Sequence, residues 1–339
     1  MDATGSKGGN NNPSWVEVIK KYNFSDPLMS WWQVANSLIP YILLWVLMYY
    51  SLEISYWVTL VLSVLAAGFL VRIFIIFHDC GHGSFFKSER TNRWVGIILG
   101  ALVFTPYHRW HRDHKIHHAT VGNLDERGIG DVYTMTVDEY LALSRWKRFG
   151  YRFYRNPLFL IGIAPMLLFL IQFRIPKSYM TWKEKLYVHL TSIGIALLIL
   201  GVVLLIGWKA YLLIQLPVIY IATVHGVWLF YVQHQYEHVR WVRAGDWDYK
   251  TIALQGSSYF KLPRILRWFT GNIGYHHIHH LSPMIPNYKL PKCQNENAMF
   301  SELKPITFLS SLKTLNLRLW DEKSQRLIPF SELQSLQPL

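Results

Sequence analysis

Three long apolar runs place the strongest constraint on how this chain of 339 residues can fold. They cover residues 38–77, 188–208 and 211–232, and only the polar stretch SLEIS interrupts the first run. A helix that spans a bilayer needs roughly 20 mostly apolar residues, so the first run is long enough for two helices and each of the others for one. Charged residues make up 16% of the chain, whereas soluble domains usually contain about 25%. The sequence therefore predicts an integral membrane protein and argues against a soluble core of buried helices.

The distribution of basic residues around these runs predicts the orientation. Nine lysines and arginines lie between residues 108 and 156, whereas SLEIS has none and residues 207–210 have one. Because cytoplasmic loops carry an excess of Lys and Arg, we expect this long segment and both termini to be cytoplasmic, in a multi-pass protein of the cell membrane. The net charge of +13 has the same explanation, since such loops face anionic lipid. It does not indicate a nucleic-acid partner.

Two weaker apolar segments cover residues 94–107 and 157–173. The first is short for a span, and the second has Pro165 at its centre and basic residues on both flanks. We expect both to be partly embedded or interfacial, with six crossings as the alternative count. The four predicted spans lie near residues 36–52, 56–77, 187–206 and 211–232.

The expected domain organisation is simple. Residues 1–30 are predicted to form a polar N-terminal tail, and residues 31–339 a single all-α membrane domain. The cytoplasmic cap of that domain would comprise residues 78–186 and 233–339. The two cysteines are too few for a disulfide framework, which favours a reducing compartment.

Three clusters of histidines follow or flank the spans. The first cluster has the spacing i, i+4 and the other two have i, i+3 and i+4, spacings that place the side chains on one face of a helix. Imidazole is a common ligand for zinc, copper, iron and nickel, and eight imidazoles are too many for one ion, so the sequence predicts two metal ions. The eight candidate ligands are His78, His82, His114, His117, His118, His276, His279 and His280, with His277 turned away.

The clusters also bear on the topology. Four spans put all three clusters on the cytoplasmic side, whereas a fifth crossing at residues 157–173 would leave the third cluster outside. At the end of the last span, either or both of His234 and His238 could reach the site. We expect His108 and His111 to be interfacial or to support the ligands. For His189 and His225, which lie within apolar spans, we expect neutral, hydrogen-bonded positions in the core.

Three sequence stretches resemble the histidine boxes of membrane fatty-acid desaturases: HDCGHGSFF, HKIHHATVGNLD and GNIGYHHIHHLSPMIPNY. The stretch QGSSYFKLPRILRWFTGNIGYHH is similar to the acyl-lipid group of that family, and within it to the bacillus-type delta-5 desaturases. The resemblance extends from about residue 30 to residue 322. It departs from the family pattern at His238, where an acidic residue is expected, and at Gln255, where related proteins tend to have Glu.

The resemblance implies a non-haem di-iron centre that uses O2 and two electrons to introduce a cis double bond, at carbon 5, into acyl chains of membrane phospholipids. It implies the eight histidines above as iron ligands and His234 as the ninth, with no catalytic residue beyond the ligands. The sequence contains neither the His-Pro-Gly-Gly haem motif of cytochrome b5 nor a dinucleotide fingerprint, so we expect an external electron donor, a ferredoxin or flavodoxin. Candidate hydrogen-bond partners for the imidazole rings are Asp79, Asp113, Asp125 and Asp131.

Two other functions use similar residues. A membrane di-iron hydroxylase or monooxygenase would share the histidine boxes and differ only after the first hydrogen abstraction. A metal transporter would also bind metal, but its ligands should lie at the bilayer midplane in broken helices, whereas the histidines here lie at predicted helix ends and in loops.

Overall fold

The computed structural model describes residues 15–333 and is largely helical in that range. Its α-helices are α1 (Trp15–Lys20), α2 (Pro27–Ser51), α3 (Tyr56–His82), α4 (Glu89–Leu102), α5 (Tyr107–Thr120), α6 (Val137–Ala142), α7 (Arg145–Tyr154), α8 (Ala164–Leu170), α9 (Trp182–Ile206), α10 (Trp208–His234), α11 (Tyr249–Gln255), α12 (Arg264–Phe269), α13 (His276–Leu281), α14 (Leu290–Glu296) and α15 (Phe308–Thr314). A π-helix, Leu158–Ile163, precedes α8, and two short strands near the end, β1 (Leu319–Asp321) and β2 (Arg326–Ile328), pair antiparallel.

Four helices in the described residues are long and apolar enough to cross a membrane, as the sequence predicts: α2, α3, α9 and α10. Their ends have ordinary local causes. The Asp26 side chain accepts hydrogen bonds from Leu28 N and Met29 N at the start of α2, which satisfies two of the free N–H groups of the first turn. Gly83 ends α3 in a left-handed conformation, φ 74°, that glycine adopts without steric cost. Because α3 continues to His82, the first histidine cluster forms its last turn.

The bundle is built around α3. Met48 on α2, Ile73 on α3 and Ile214 on α10 are fully buried in the main hydrophobic core. By contrast, α9 buries little of its surface, and Leu205 near its end is 83% exposed. The outward face of α9 therefore has the character expected of a lipid-facing surface.

The segment after α7 enters the bundle and returns to the same side. At its start, Arg155 donates a hydrogen bond to Gln235 (2.9 Å), next to the end of α10. Gly162 then lies beside the Tyr220 hydroxyl, which is about 21 Å before His234 along α10 at 1.5 Å per residue. At its end, Arg109 on α5 donates to the carbonyl oxygen of Gln172 (2.5 Å). This re-entrant path agrees with the prediction of a partly embedded segment at 157–173.

The other partly embedded segment corresponds to α4, which is 14 residues long and too short to span. It packs closely on α3, because Gly100 brings its backbone against Phe77, where a Cβ would lie 3.1 Å from that ring. The following Tyr107 hydroxyl donates to the carbonyl oxygen of Cys80 (2.9 Å), within the first histidine cluster.

The cap is not wholly separate from the bundle, which corrects the prediction for residues 233–339. Phe269 of α12 packs against Gly68 of α3, about 15 Å before His78 along the helix. Trp268 packs edge-on against Phe69, at 5.8 Å between ring centroids, and accepts a hydrogen bond from Arg72 at its carbonyl oxygen. Because α12 is a short helix with basic neighbours and no apolar run, local sequence patterns do not predict this insertion.

The predicted N-terminal tail is wrong for residues 15–30. Ile19 and Tyr22 are buried in a second hydrophobic cluster with Ile278 and Leu281, and the Tyr22 hydroxyl donates to Glu296 (2.7 Å). The polar composition ends before Trp15, and the apolar residues after it form one face of α1 and the turn beyond it. Residues 1–14 of the predicted tail lie outside the described range.

Candidate metal centre

Nine histidines meet in two groups near the C-terminal ends of α3 and α10. Within each group, the nitrogen atoms that could bind a metal all lie within 4.8 Å of one another. The first group consists of His78, His82, His114, His118 and His279, and the second of His117, His234, His276 and His280. The structure thus brings together the eight histidines of the three clusters and His234.

Four helices supply these side chains. The last turn of α3 supplies His78 and His82, and α10 ends at His234. Each of the other two helices contributes to both groups: α5 gives two histidines to the first group and one to the second, and α13 does the reverse. The i, i+3, i+4 spacing explains this arrangement, because residues three and four apart lie on either side of one helical stripe.

Within each group the Nε2 atoms approach one another closely. In the first group, His114 Nε2 lies 3.0 Å from His78 Nε2 and 3.1 Å from His118 Nε2. In the second group, His234 Nε2 lies 3.1 Å from His117 Nε2 and 2.9 Å from His276 Nε2. Two nitrogens bound to one metal at about 2.1 Å would lie roughly 3.0 Å apart if they met at a right angle.

The hydrogen bonds of the opposite ring nitrogens show why a cation fits here. His78 Nδ1 lies 3.0 Å from Asp79 Oδ1, and His117 Nδ1 is hydrogen-bonded to Asp131. His234 Nδ1 lies 3.3 Å from the carbonyl oxygen of Gly256. Since these oxygens accept, a ring in its neutral form carries its proton on Nδ1 and has a bare lone pair on Nε2. Lone pairs that face one another at 3 Å repel, and a metal ion between them removes that repulsion.

Burial lowers the proton affinity of several candidate ligand atoms. His276, His279 and His280 are at most 2% exposed. Removal from water lowers the pKa of His276, His279 and His280 well below the usual histidine range, and neighbouring imidazoles add to this effect. The Nε2 atom of His82 is also buried and has no hydrogen-bond partner in the described residues. Neutral, unprotonated imidazoles are the form that metals bind.

Aromatic rings, which the histidine spacing does not predict, line the centre. Trp110 stacks on His114, with ring centroids 4.3 Å apart. Phe230 lies 5.2 Å from the ring of His117 and 5.0 Å from that of His234. Trp110 precedes His114 by four residues, and Phe230 precedes His234 by four. This helical spacing places each aromatic ring on the same helix face as a candidate ligand, so it could have identified both residues from the sequence.

Two of the four predicted carboxylate partners contact candidate ligands, namely Asp79 and Asp131. The prediction is wrong for the other two. Asp113 accepts a hydrogen bond from Tyr179 (2.9 Å), and Asp125 pairs with Arg243 (2.6 Å) at the surface. Sequence spacing alone does not distinguish Asp131 from Asp125, because both lie in the loop after α5. The fold of that loop determines which carboxylate reaches an imidazole ring.

The remaining histidines lie outside both groups. His238 is exposed, and the ring of His277 points to Gln294 (2.9 Å). His108 stacks on Tyr187 with ring centroids 4.0 Å apart, and His111 is exposed one turn along.

The prediction of core positions for His189 and His225 is wrong, since both are exposed on their helices. His225 Nδ1 instead bonds to the carbonyl oxygen of Ile221 (2.8 Å) in its own helix. An apolar run does not tell which helix face meets protein and which meets lipid, and both residues lie on outward faces.

Comparison with known proteins agrees with this geometry. The family model for fatty acid desaturases matches residues 55–308. The chain is 46% identical over 304 residues to a fatty acid desaturase of Bacillus subtilis, covering 90% of this chain and 86% of that protein. It is 29% identical to an sn-1 acyl-lipid omega-3 desaturase (ferredoxin) of a Synechocystis species, over 64% of this chain and 61% of the relative. An sn-1 oleoyl-lipid 12-desaturase of the same organism is 27% identical, over 65% and 63%. With four spanning helices and two buried histidine groups in place, the chain belongs to the fatty acid desaturase family.

Proposed function

We propose that this desaturase introduces a cis double bond at carbon 5 of saturated acyl chains esterified in membrane phospholipids. The nine histidines hold two iron ions, O2 is the co-substrate, and an external carrier delivers two electrons. The protein is a multi-pass protein of the cell membrane with both termini in the cytoplasm. Bond position and electron donor rest on the sequence resemblance, whereas the metal centre rests on the geometry.

The composition of the two groups is the observation that carries the proposal. Both consist only of imidazoles, buried at the end of an apolar bundle. An unactivated methylene has no acidic proton and no leaving group, so acid–base side chains cannot break its C–H bonds. A bound iron pair, given O2 and two electrons, supplies the oxidising power that removes two hydrogens from such a chain.

The surrounding residues contribute orientation and exclusion of water. Asp79 and Asp131 fix the ring orientations of His78 and His117 by accepting hydrogen bonds from their Nδ1 atoms. Trp110 and Phe230 cover the imidazoles on their apolar sides. The substrate is insoluble in water, and the placement of the centre at the ends of α3 and α10 keeps it within reach of lipid chains.

Two features bear on the electron donor. Two cyanobacterial relatives are named as ferredoxin enzymes. The chain has a net charge of +13, and a basic cytoplasmic face would steer an acidic carrier toward it. These support a ferredoxin or flavodoxin as the donor.

The metal transporter alternative is not favoured. Transporter sites lie near the bilayer midplane in broken helices, whereas His78, His82 and His234 occupy the last turns of unbroken helices. A hydroxylase would use the same site, and only the product separates it from a desaturase.

Product analysis tests the proposal. The chain is expressed in a bacterial host that lacks the activity but contains ferredoxin or flavodoxin, and the fatty acids of purified phospholipids are analysed by mass spectrometry after derivatisation of double bonds. We expect new cis bonds at carbon 5, and none with the matched variant His279→Ala. Hydroxylated chains would support a monooxygenase instead. New bonds mainly at carbon 9 or 12 would keep the desaturase and reject the proposed position.

A further inference from the structure

Helix α7 carries two neighbouring stripes of side chains that the metal centre does not use. The aromatic stripe consists of Trp146, Phe149 and Phe153, and the arginine stripe of Arg145, Arg148 and Arg152. Both stripes follow the spacing i, i+3, i+7, and one is displaced from the other by a single residue. At 3.6 residues per turn the two stripes therefore lie side by side along the helix.

The aromatic stripe is unusually open. Trp146, Phe149 and Phe153 are 84%, 63% and 55% exposed. A contiguous exposed apolar patch of this kind usually marks an interaction site. At its end, the ring of Phe153 packs against Phe159 of the π-helix, with centroids 4.6 Å apart. That π-helix begins the re-entrant segment, so the stripe is continuous with chain that is embedded in the bundle. This continuity favours the membrane as the surface that covers the stripe.

The arginine stripe lacks acidic partners. Arg148 donates to the carbonyl oxygens of Leu141 and Leu143, and Arg152 donates to the Tyr140 hydroxyl (2.7 Å). The side chain of Arg145 makes no hydrogen bond with the described residues. None of the three arginines is within ion-pair distance of a described carboxylate. Elsewhere in the cap, by contrast, arginines pair with carboxylates, as Arg112–Glu184, Arg127–Glu139 and Arg243–Asp125 do.

The three arginines line a pocket between α6 and α7, and no acidic residue of the described range lines it. The lining residues are Tyr140, Leu141, Arg145, Arg148, Phe149, Arg152 and Leu333. Guanidinium groups bind phosphate oxygens through paired N–H donors, and cationic side chains near a bilayer surface attract anionic lipid. A helix with basic residues on one face and Trp and Phe on another lies in the plane of the membrane interface, with the apolar face toward the acyl chains.

We propose that α7 lies in the headgroup layer of the bilayer and that its arginine stripe binds the phosphate of an anionic phospholipid, with the aromatic stripe against the acyl chains. The binding does not require the desaturation reaction. Loss of one would therefore leave the other measurable.

The position of α7 is tested with a fluorescent probe on an introduced cysteine. The two native cysteines, Cys80 and Cys293, are fully buried, so Phe149→Cys and the matched Lys147→Cys can be labelled selectively in nanodiscs. Lys147 is exposed on the other side of the helix. Spin-labelled lipid should quench the probe at position 149 and leave that at 147 largely unquenched. Equal quenching at both positions, or none at 149, would overturn the placement.

Lipid binding is tested by the enrichment of phosphatidylglycerol around the protein in phosphatidylcholine nanodiscs. Arg148 also supports two backbone carbonyls, so the test variant is Arg145→Gln with Arg152→Gln. One cationic side chain at an anionic surface contributes about fivefold in affinity, so the double variant should bind about 25-fold more weakly. The control, Lys304→Gln with Lys313→Gln, removes the same charge from exposed cap positions and should retain the lipid. Unchanged retention in the arginine variant, or displacement of the lipid by inorganic phosphate, would overturn the proposal.

Discussion

His234 and His276 lie 42 residues apart in the sequence, but their Nε2 atoms are separated by 2.9 Å. His234 is the last residue of α10, and the chain turns away directly after it. His238 follows at the spacing of one more helical turn, but the helix has ended and its side chain is exposed. The end of α10 therefore decides which of the two histidines reaches the second group.

His234→Ala should remove a metal ligand and abolish formation of unsaturated lipid in membrane-inserted protein. The iron content of the purified variant should fall as well, because only three imidazoles remain in the second group. His238→Ala, the matched control, should keep both activity and metal. Metal content and lipid products are measured on the same preparations, and reversed phenotypes would move the ninth ligand to His238.

Purified protein should contain close to two iron ions per chain. Zinc can occupy imidazole sites in overexpressed material, so metal analysis must be paired with turnover on each sample. Activity should rise with iron content and reach its maximum near two per chain. Full activity with one metal ion, or with none, would exclude the di-iron centre.

Asp131→Asn should weaken the second metal group without removing a ligand. The amide is close in size to the carboxylate, but its oxygen carries no full negative charge and accepts a weaker hydrogen bond from His117 Nδ1. Loss of such a partner costs about 10–100-fold in metal affinity or activity. Asp125→Asn is the control, because Asp125 bonds to Arg243 and Ala244 N at the surface. Chelator competition measures the metal affinity of both. Equal effects of the two substitutions would contradict a role for Asp131 in orienting His117.

Cysteine labelling in intact cells should separate two sides of the protein. Glu53→Cys and Lys209→Cys, at the two exposed turns between spans, should react with an impermeant reagent added outside. Ser178→Cys and Ser301→Cys, both exposed in the structure, should react only after the membrane is opened. Labelling of position 178 from outside would turn the re-entrant segment into a fifth crossing.

The sequence predicted the spans and the histidine groups for related reasons. A helix that spans a bilayer needs about 20 apolar residues. The apolar runs of α3 and α10 are long enough, and they end just before His78 and His234. The two histidine groups were predictable because their members repeat at helical spacing in α5 and α13. Both patterns are local, so neither needs knowledge of distant contacts.

Other features depend on contacts that no local pattern reveals. The insertion of α12 depends on the fit of Phe269 against Gly68, 201 residues earlier in the chain. The choice of Asp131 over Asp125 as the partner of His117 depends on how the loop after α5 folds back. The outward positions of His189 and His225 depend on which helix faces meet lipid. Burial on α1 likewise depends on the partner surface near Ile278.

Helices α5 and α13 each supply histidines to both groups, so the positions of the two groups are coupled. His117 and His118 are adjacent on α5 but belong to different groups, and so do His279 and His280 on α13. A rotation or shift of either helix consequently displaces nitrogens in both groups at once. By contrast, α3 contributes only to the first group and α10 only to the second. Mutations that move α5 or α13 must therefore alter the geometry of both halves of the centre, whereas those that move α3 or α10 can change one half alone.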